Sequence, residues 1–214
     1  MKLAVFDLDG TITRHDTLVL YVFGYLIRRP WRLPRVLLVL PAVIGFGLRL
    51  TDRGGLKSAL LRFTLGGVRR EQIERWTARF VPRVIEHGTF AAAREMIAKH
   101  ARAGDHLVLM SASVDLYVPA LALALGFHES ICTGIRWRNE RLDGRLSTPN
   151  RHGEEKARCL RELMERRPGE ATAYGNARSD LPHLRLVAHG VLVNGSARAR
   201  REATRAGIAC TRWS

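Results

Sequence analysis

A doubly wound parallel α/β sheet with an inserted helical cap is the fold this sequence predicts, on three observations. Short apolar runs such as "KLAVFDLD" (2–9) and "HLVLMSAS" (106–113) read as central strands with both faces covered. After the second run, further strand patterns alternate with helical ones, which implies parallel strands joined by crossovers. Between the first two runs the strand pattern stops, and apolar and arginine-rich helical stretches take over. The expected division is therefore a core over 1–13 and 94–214, with a cap over 14–93.

The elements follow in order. "PALALALGF" (119–127) reads as a helix ending near Gly126. "SICTGIRWRNERLDGRL" (130–146) reads as extended segments joined by a turn around Asn139 to Gly144. "HGEEKARCLRELMERR" (152–167) has Ala157, Leu160, Leu163 and Met164 at helical spacing. "ATAYGN" (171–176) and "GVLVN" (190–194) are short strands, separated by the helix "SDLPHLRLVA" (179–188), which begins at an acid. "ARARREATRAG" (197–207) is a basic helix before a last extended piece, "IACTRW" (208–213). In such a sheet ligands sit beyond the carboxyl ends of the strands, which is where Asp7, Ser111 and Asn176 fall.

The 214 residues suffice for a sizeable core, and a hydrophobic content of 46% excludes a solvated, disordered chain. Lys+Arg 35 against Asp+Glu 20 gives a net charge of +15, which suits anionic company: nucleic acid, lipid headgroups or a phosphorylated substrate. Only Lys2, Lys57, Lys99 and Lys156 are lysines, a skew that base composition also produces, so the charge supports phosphate binding weakly. Zinc-finger spacing, an aromatic RNA-binding strand motif and basic-zipper heptads are all lacking, which argues against nucleic acid. Cys132, Cys159 and Cys210 are an odd set without a CxxC pair, the pattern of free thiols in a reducing cytoplasm. The chain runs directly into a strand pattern at its first residues, so no signal peptide is expected.

The chemistry concentrates at "VFDLDGTITRHD" (5–16), where two acids stand one residue apart at a strand end. Where the backbone turns, both Asp7 and Asp9 can face one small site. One carboxylate can attack phosphorus to form an aspartyl-phosphate, and the other can protonate the leaving oxygen and later activate water. Because a phosphoryl group would be repelled by bare carboxylates, the site needs a cation and donors. Magnesium suits the first need, and the hydroxyls of Thr11 and Ser111 and the ammonium of Lys156 suit the second. A calcium loop is rejected, since its sixth and twelfth positions would be Ile12 and Leu18 rather than glycine and glutamate. A plain strand-end turn is the other reading.

Four ordered pieces carry a resemblance: "DLDGT" (7–11), Ser111 in "VLMSAS", Lys156 in "GEEK", and "YGNARSDLPHL" (174–184). Together they resemble the haloacid dehalogenase-like phosphatases, in the subgroup that includes phosphoserine phosphatases and other enzymes with a helical cap after the first motif. The resemblance implies a Rossmann-like core and a magnesium-dependent phosphatase. It implies Asp7 as nucleophile and magnesium ligand and Asp9 as general acid/base lending its carbonyl to the metal. Thr11, Ser111, Ala112 and Lys156 would bind phosphate, and Asn176 and Asp180 would complete the metal site. The family more often has Asp where this chain has Asn176, so magnesium should bind less tightly here.

The cap should select the substrate. Val36 to Leu48 is thirteen residues without a charge, flanked by Arg35 and Arg49 and interrupted by Pro41, Gly45 and Gly47. That is short of the roughly twenty apolar residues a straight span needs. One reading is a buried helical hairpin in the cap's own core, broken at Pro41. The other is an interfacial element, edged by Trp31 and by Arg28, Arg29 and Arg32, in peripheral contact with an anionic membrane. The same segment resembles the caps of phosphatidylglycerophosphatase C-like enzymes, which implies a phospholipid headgroup phosphate. A small soluble phosphate, as for a phosphoserine phosphatase, is the alternative, and a non-catalytic phosphate or nucleic-acid binder is the rival from another class. Arg178 is a candidate second phosphate contact, and His15, His152 and His183 lack metal-ligand spacing.

Overall fold

The computed structural model describes residues 2–213. Strand β1 (Leu3–Phe6) leads into the inserted helices: α1 (Thr17–Ile27), a 3-10 helix (Pro30–Val39), α2 (Leu40–Gly47), α3 (Arg53–Leu65) and α4 (Arg70–Arg83). A π-helical turn (Val84–Gly88) and α5 (Ala91–Arg102) return the chain to β2 (His106–Val114). Then follow α6 (Val118–Ala124), β3 (Glu129–Thr133), the hairpin β4 (Ile135–Arg138) and β5 (Arg141–Leu146), and α7 (Glu154–Arg166). The chain closes with β6 (Ala171–Gly175), α8 (Leu181–Leu184), β7 (His189–Val193), α9 (Ala197–Arg205) and β8 (Ala209–Thr211).

Six strands form a parallel sheet in the order β3-β2-β1-β6-β7-β8, with β1 between β2 and β6. The order reverses at β1, so the crevice beyond its carboxyl end is the topological switch point. Alternate residues of each strand feed two cores, as the period of two requires. Ala4, Phe6, Leu107 and Leu109 pack with Ala93 and Ile97 of α5 and with the inserted helices on one face. Leu3, Val5, Val108 and Met110 pack with Leu160 and Leu163 of α7, Leu184 of α8 and Ala203 of α9 on the other. The doubly wound expectation is borne out.

An aromatic cluster joins the insert to the core. Tyr21 of α1 stacks on Tyr117 at 4.7 Å between centroids, and Phe80 of α4 meets Tyr21 edge-on at 4.9 Å. The two connections between insert and core run side by side: Arg14 N donates to Gly88 O at 2.8 Å, and Phe90 N to Ile12 O at 2.9 Å.

Two local expectations are corrected. The hairpin turns at Asn139 and Glu140, both at positive φ, while Gly144 lies within β5. That hairpin is also separate from the main sheet; its Leu142 pairs with Gly67 and Val68 beyond α3. The segment 36–48 is not a buried hairpin broken at Pro41. The change from 3-10 to α falls at Leu40, and Pro41 sits in the first turn of α2, where its missing N–H costs nothing. Only Val39 of the 3-10 helix is buried, and none of α2.

Candidate active site

A cavity of about 560 Å³ lies at the switch point, between the strand ends and the insert. Its floor is Asp7, Asp9, Ala112, Lys156, Asn176 and Asp180, from the ends of β1, β2 and β6 and the first turn of α7. Its outer wall comes from the insert: Asp16, Leu18, Val19, Phe46, Arg53, Leu56, Lys57 and Leu60.

Asp7 follows β1 directly, its N–H donating to Tyr174 O at 2.9 Å, so the ladder to β6 aims the carboxylate. Lys156 Nζ donates to Asp7 Oδ1 at 2.5 Å and to Asp180 Oδ1 at 3.0 Å, all three groups being buried. Asp180 Oδ2 accepts the backbone N–H groups of Asn176 (3.0 Å) and Ala177 (2.9 Å). A Cβ on Gly175 would lie 2.7 Å from that of Asp180, so the close approach requires glycine. Asp9 is held apart from this group. Its Oδ1 accepts from Thr17 N (2.7 Å) and Thr17 Oγ1 (2.6 Å), and its Oδ2 from Ser113 Oγ (2.6 Å).

Charge explains how the three acids differ. Burial drives the Asp7 carboxyl well above its usual range; Lys156 opposes this, but the nearby Asp180 and Asp9 charges reinforce it. Burial works against Asp180 too, yet Lys156 and the Ala177 N–H outweigh it and hold that carboxyl below its usual range. Burial also raises Asp9, against the hydrogen bonds from Ser113 and Thr17. Lys156 loses to burial but gains more from Asp180 and Asp7, and stays charged. One buried ammonium among three carboxylates leaves negative charge unmatched, which is the setting a hard cation fits.

The donor set suits magnesium: carboxylate oxygens of Asp7 and Asp180, the Asn176 amide oxygen and a backbone carbonyl are all hard oxygen ligands. Among the described residues no three His, Cys, Asp or Glu side chains form a ready-made metal cluster, so amide and carbonyl oxygens would have to complete the set. Gly10 seats that amide. Its φ is +80°, and a Cβ there would fall 1.9 Å from Asn176 Nδ2.

Two expected phosphate-binding residues sit differently. Thr11 is fully buried and donates its hydroxyl to Asp7 Oδ2 at 3.0 Å, supporting the acid rather than lining the cavity. Ser111 Oγ accepts from Ser113 N at 3.0 Å, while Ala112 and Ser113 face the cavity. Arg178 pairs with Glu202 of α9 at 2.7 Å instead of reaching the site. His152 lines the cavity, and His183 is buried with both ring nitrogens unpartnered, 3.9 Å from Asp180.

Sequence reasoning missed Ser113, Thr17, Asn150 and Lys57. The spacing of Ser111 and Ser113, two apart on a strand, was a usable signal for the first. Lys57, reaching in from α3, donates to Asn150 Oδ1 at 2.5 Å and to the Ala112 carbonyl. Its signal was rarity, being one of four lysines in so arginine-rich a chain.

Paired acids and a buried lysine thus meet at the switch point of a doubly wound sheet, where ligands of such folds sit. The model of the haloacid dehalogenase-like hydrolases matches residues 4–185, and the chain belongs to that family. A "probable phosphatase" of Mycobacterium tuberculosis is 35% identical over 118 residues, 54% of this chain and 41% of that protein. The chain thus spans about two fifths of that relative's length. A phosphoserine phosphatase of the same organism is 26% identical over 210 residues, covering 95% of this chain and 68% of the relative. Among solved structures, a Bordetella pertussis Tohama I protein of unknown function superposes with a TM-score of 0.82 at 21% identity, covering 98% of this chain and 97% of its own. A phospho-aspartyl intermediate analogue of a phosphoserine phosphatase gives 0.68 at 13% identity, over 98% and 92%. At these identities the structural likeness is one of fold.

Proposed function

We propose that this chain is a magnesium-dependent phosphate-monoester hydrolase working through an aspartyl-phosphate on Asp7. The observation that carries the reading is the separate support of two neighbouring acids: Asp7 on Lys156, and Asp9 on Thr17 and Ser113. In the first step an Asp7 oxygen bonds to phosphorus, and the bond from phosphorus to the ester oxygen breaks. Asp9 delivers a proton to that departing oxygen. In the second step water attacks the phosphoryl group and its proton passes to Asp9. The bond from phosphorus to Asp7 breaks, and phosphate leaves. Lys156 offsets the charge that Asp7 and Asp180 present to the incoming phosphoryl group. Magnesium, held by Asp7, Asp180, Asn176 and the Asp9 carbonyl, would neutralise phosphoryl oxygens.

The division into core and cap belongs to this reading, with the β4–β5 hairpin counted with the cap because it pairs beside α3. For the substrate, Leu18, Val19, Phe46, Leu56 and Leu60 around the cavity favour a phosphate on an apolar alcohol, such as a phospholipid headgroup monoester met at a membrane. Asp16 and Lys57 on the same wall support the second reading, a small zwitterionic ester such as phosphoserine. Three free cysteines suit a reducing interior.

A hydrolysis screen with and without magnesium, over phospholipid, amino-acid, sugar and nucleotide monoesters, separates these substrates. The Asp7→Asn variant should lose at least about three orders of magnitude in turnover. Wild-type turnover in that variant would sink the mechanism, and binding without turnover by the wild type would favour the non-catalytic rival.

A further inference from the structure

The insert leaves an apolar face uncovered. On α1, Phe23 and Ile27 point outward, Ile27 being 69% exposed. On the 3-10 helix and α2, Leu37 (65%), Leu40, Ile44 (61%) and Leu48 do the same. So many large apolar side chains on neighbouring helices exceed what a monomer ordinarily shows to water. The face also reaches the active site, because Val19 and Phe46 are both exposed and both line the catalytic cavity.

Charge narrows what could cover it. No acidic residue occurs between Asp16 and Asp52, whereas Arg28, Arg29, Arg32, Arg35 and Arg49 all do. Three of these are engaged within the insert: Arg28 lies over the Trp76 ring, Arg29 over Tyr25, and Arg32 donates to the carbonyls of Thr64 and Gly66. Arg35 and Arg49 remain exposed, at the two ends of the uncharged segment. An apolar surface with arginines at its margin and no acid within it complements an anionic headgroup layer over hydrocarbon. Among the described residues no helix is long and apolar enough to cross a membrane, so the face would lie on the surface.

We infer that this face seats the protein on an anionic lipid bilayer, with the mouth of the catalytic cavity opening at the lipid surface beside Val19 and Phe46. This deepens the proposed function and rests on it only for the supply of substrate; seating itself requires no turnover. The test is sedimentation of the full chain with phosphatidylglycerol-containing vesicles and with pure phosphatidylcholine vesicles, at low and high salt. The protein should sediment with the anionic vesicles, less so as salt rises. Arg35→Gln with Arg49→Gln should weaken binding by about one order of magnitude, and Leu37→Glu with Ile44→Glu should abolish it. Both double variants should keep wild-type turnover of p-nitrophenyl phosphate, which reports an intact site. Asp7→Asn should bind vesicles like the wild type, so loss of activity and loss of seating read out separately.

Wild-type protein that stays in solution with anionic vesicles at low salt would overturn the inference. So would a Leu37→Glu/Ile44→Glu variant that still sediments. Sedimentation velocity that finds a wild-type dimer, made monomeric by the same pair, would assign the face to a second copy of the chain instead.

Discussion

Asn176 and Gly10 act as a pair, and the pair carries two predictions. A Cβ at Gly10 would collide with the Asn176 amide in a backbone conformation that L side chains rarely adopt. Gly10→Ala should therefore cost at least ~1 kcal/mol of stability, seen in thermal denaturation. Asn176→Asp adds a charge among the oxygens proposed to hold magnesium, and the magnesium concentration at half-maximal activity should fall about tenfold. Lys57 titrates where it can be watched: burial brings its ammonium down to about 8, although Asp9 and Asp16 pull the other way. It is charged below that pH and neutral above, so KM for a phosphate ester should climb as pH rises through about 8. Lys57→Gln should show a raised KM already at neutral pH, with that step gone. Asp7, Asp9 and Lys156 were legible because acids at a strand end and a lysine early on a helix suit phosphoryl chemistry, and Asp180 through the resemblance of its motif. Lys57 and Ser113 were not, since each acquires its role through residues distant in sequence, Asn150 and Asp9.

At the scale of elements, strand and helix patterns located the strands of the main sheet, five of which contribute buried residues while the edge strand β8 is exposed. Periodicity failed where burial is absent. The apolar composition of segment 36–48 allowed either a buried hairpin or an interfacial element, and only packing showed that α2 buries none of its residues. The hairpin's partners beside α3 likewise lay some seventy residues upstream in sequence, beyond any local pattern. The contrast can be measured with two leucines. Leu61→Ala in α3 empties a fully buried position and should cost about 2–5 kcal/mol. Leu37→Ala, largely in water already, should change unfolding by less than about 0.5 kcal/mol.

For the whole molecule, the three cysteines offer a test of how tightly the parts pack. Burial pushes the Cys132 thiol up to about 12 and also raises Cys159, whereas Cys210 is exposed. A thiol reagent at mildly alkaline pH should modify one cysteine quickly in the native chain and three after denaturation. The family and its core were legible from four motifs in order, but the surface the insert presents became visible only once packing showed what it leaves bare. One contact crosses the boundary between insert and core at the chemistry itself: the first residue of α1, Thr17, gives both its N–H and its hydroxyl to Asp9, and shares that hydroxyl with Tyr117. The proposed proton donor, Asp9, is thereby tied to the insert. Two of the three hydrogen bonds that fix this carboxylate come from α1, and the third from Ser113 of β2, so its aim is set jointly by two parts of the chain that lie far apart in sequence.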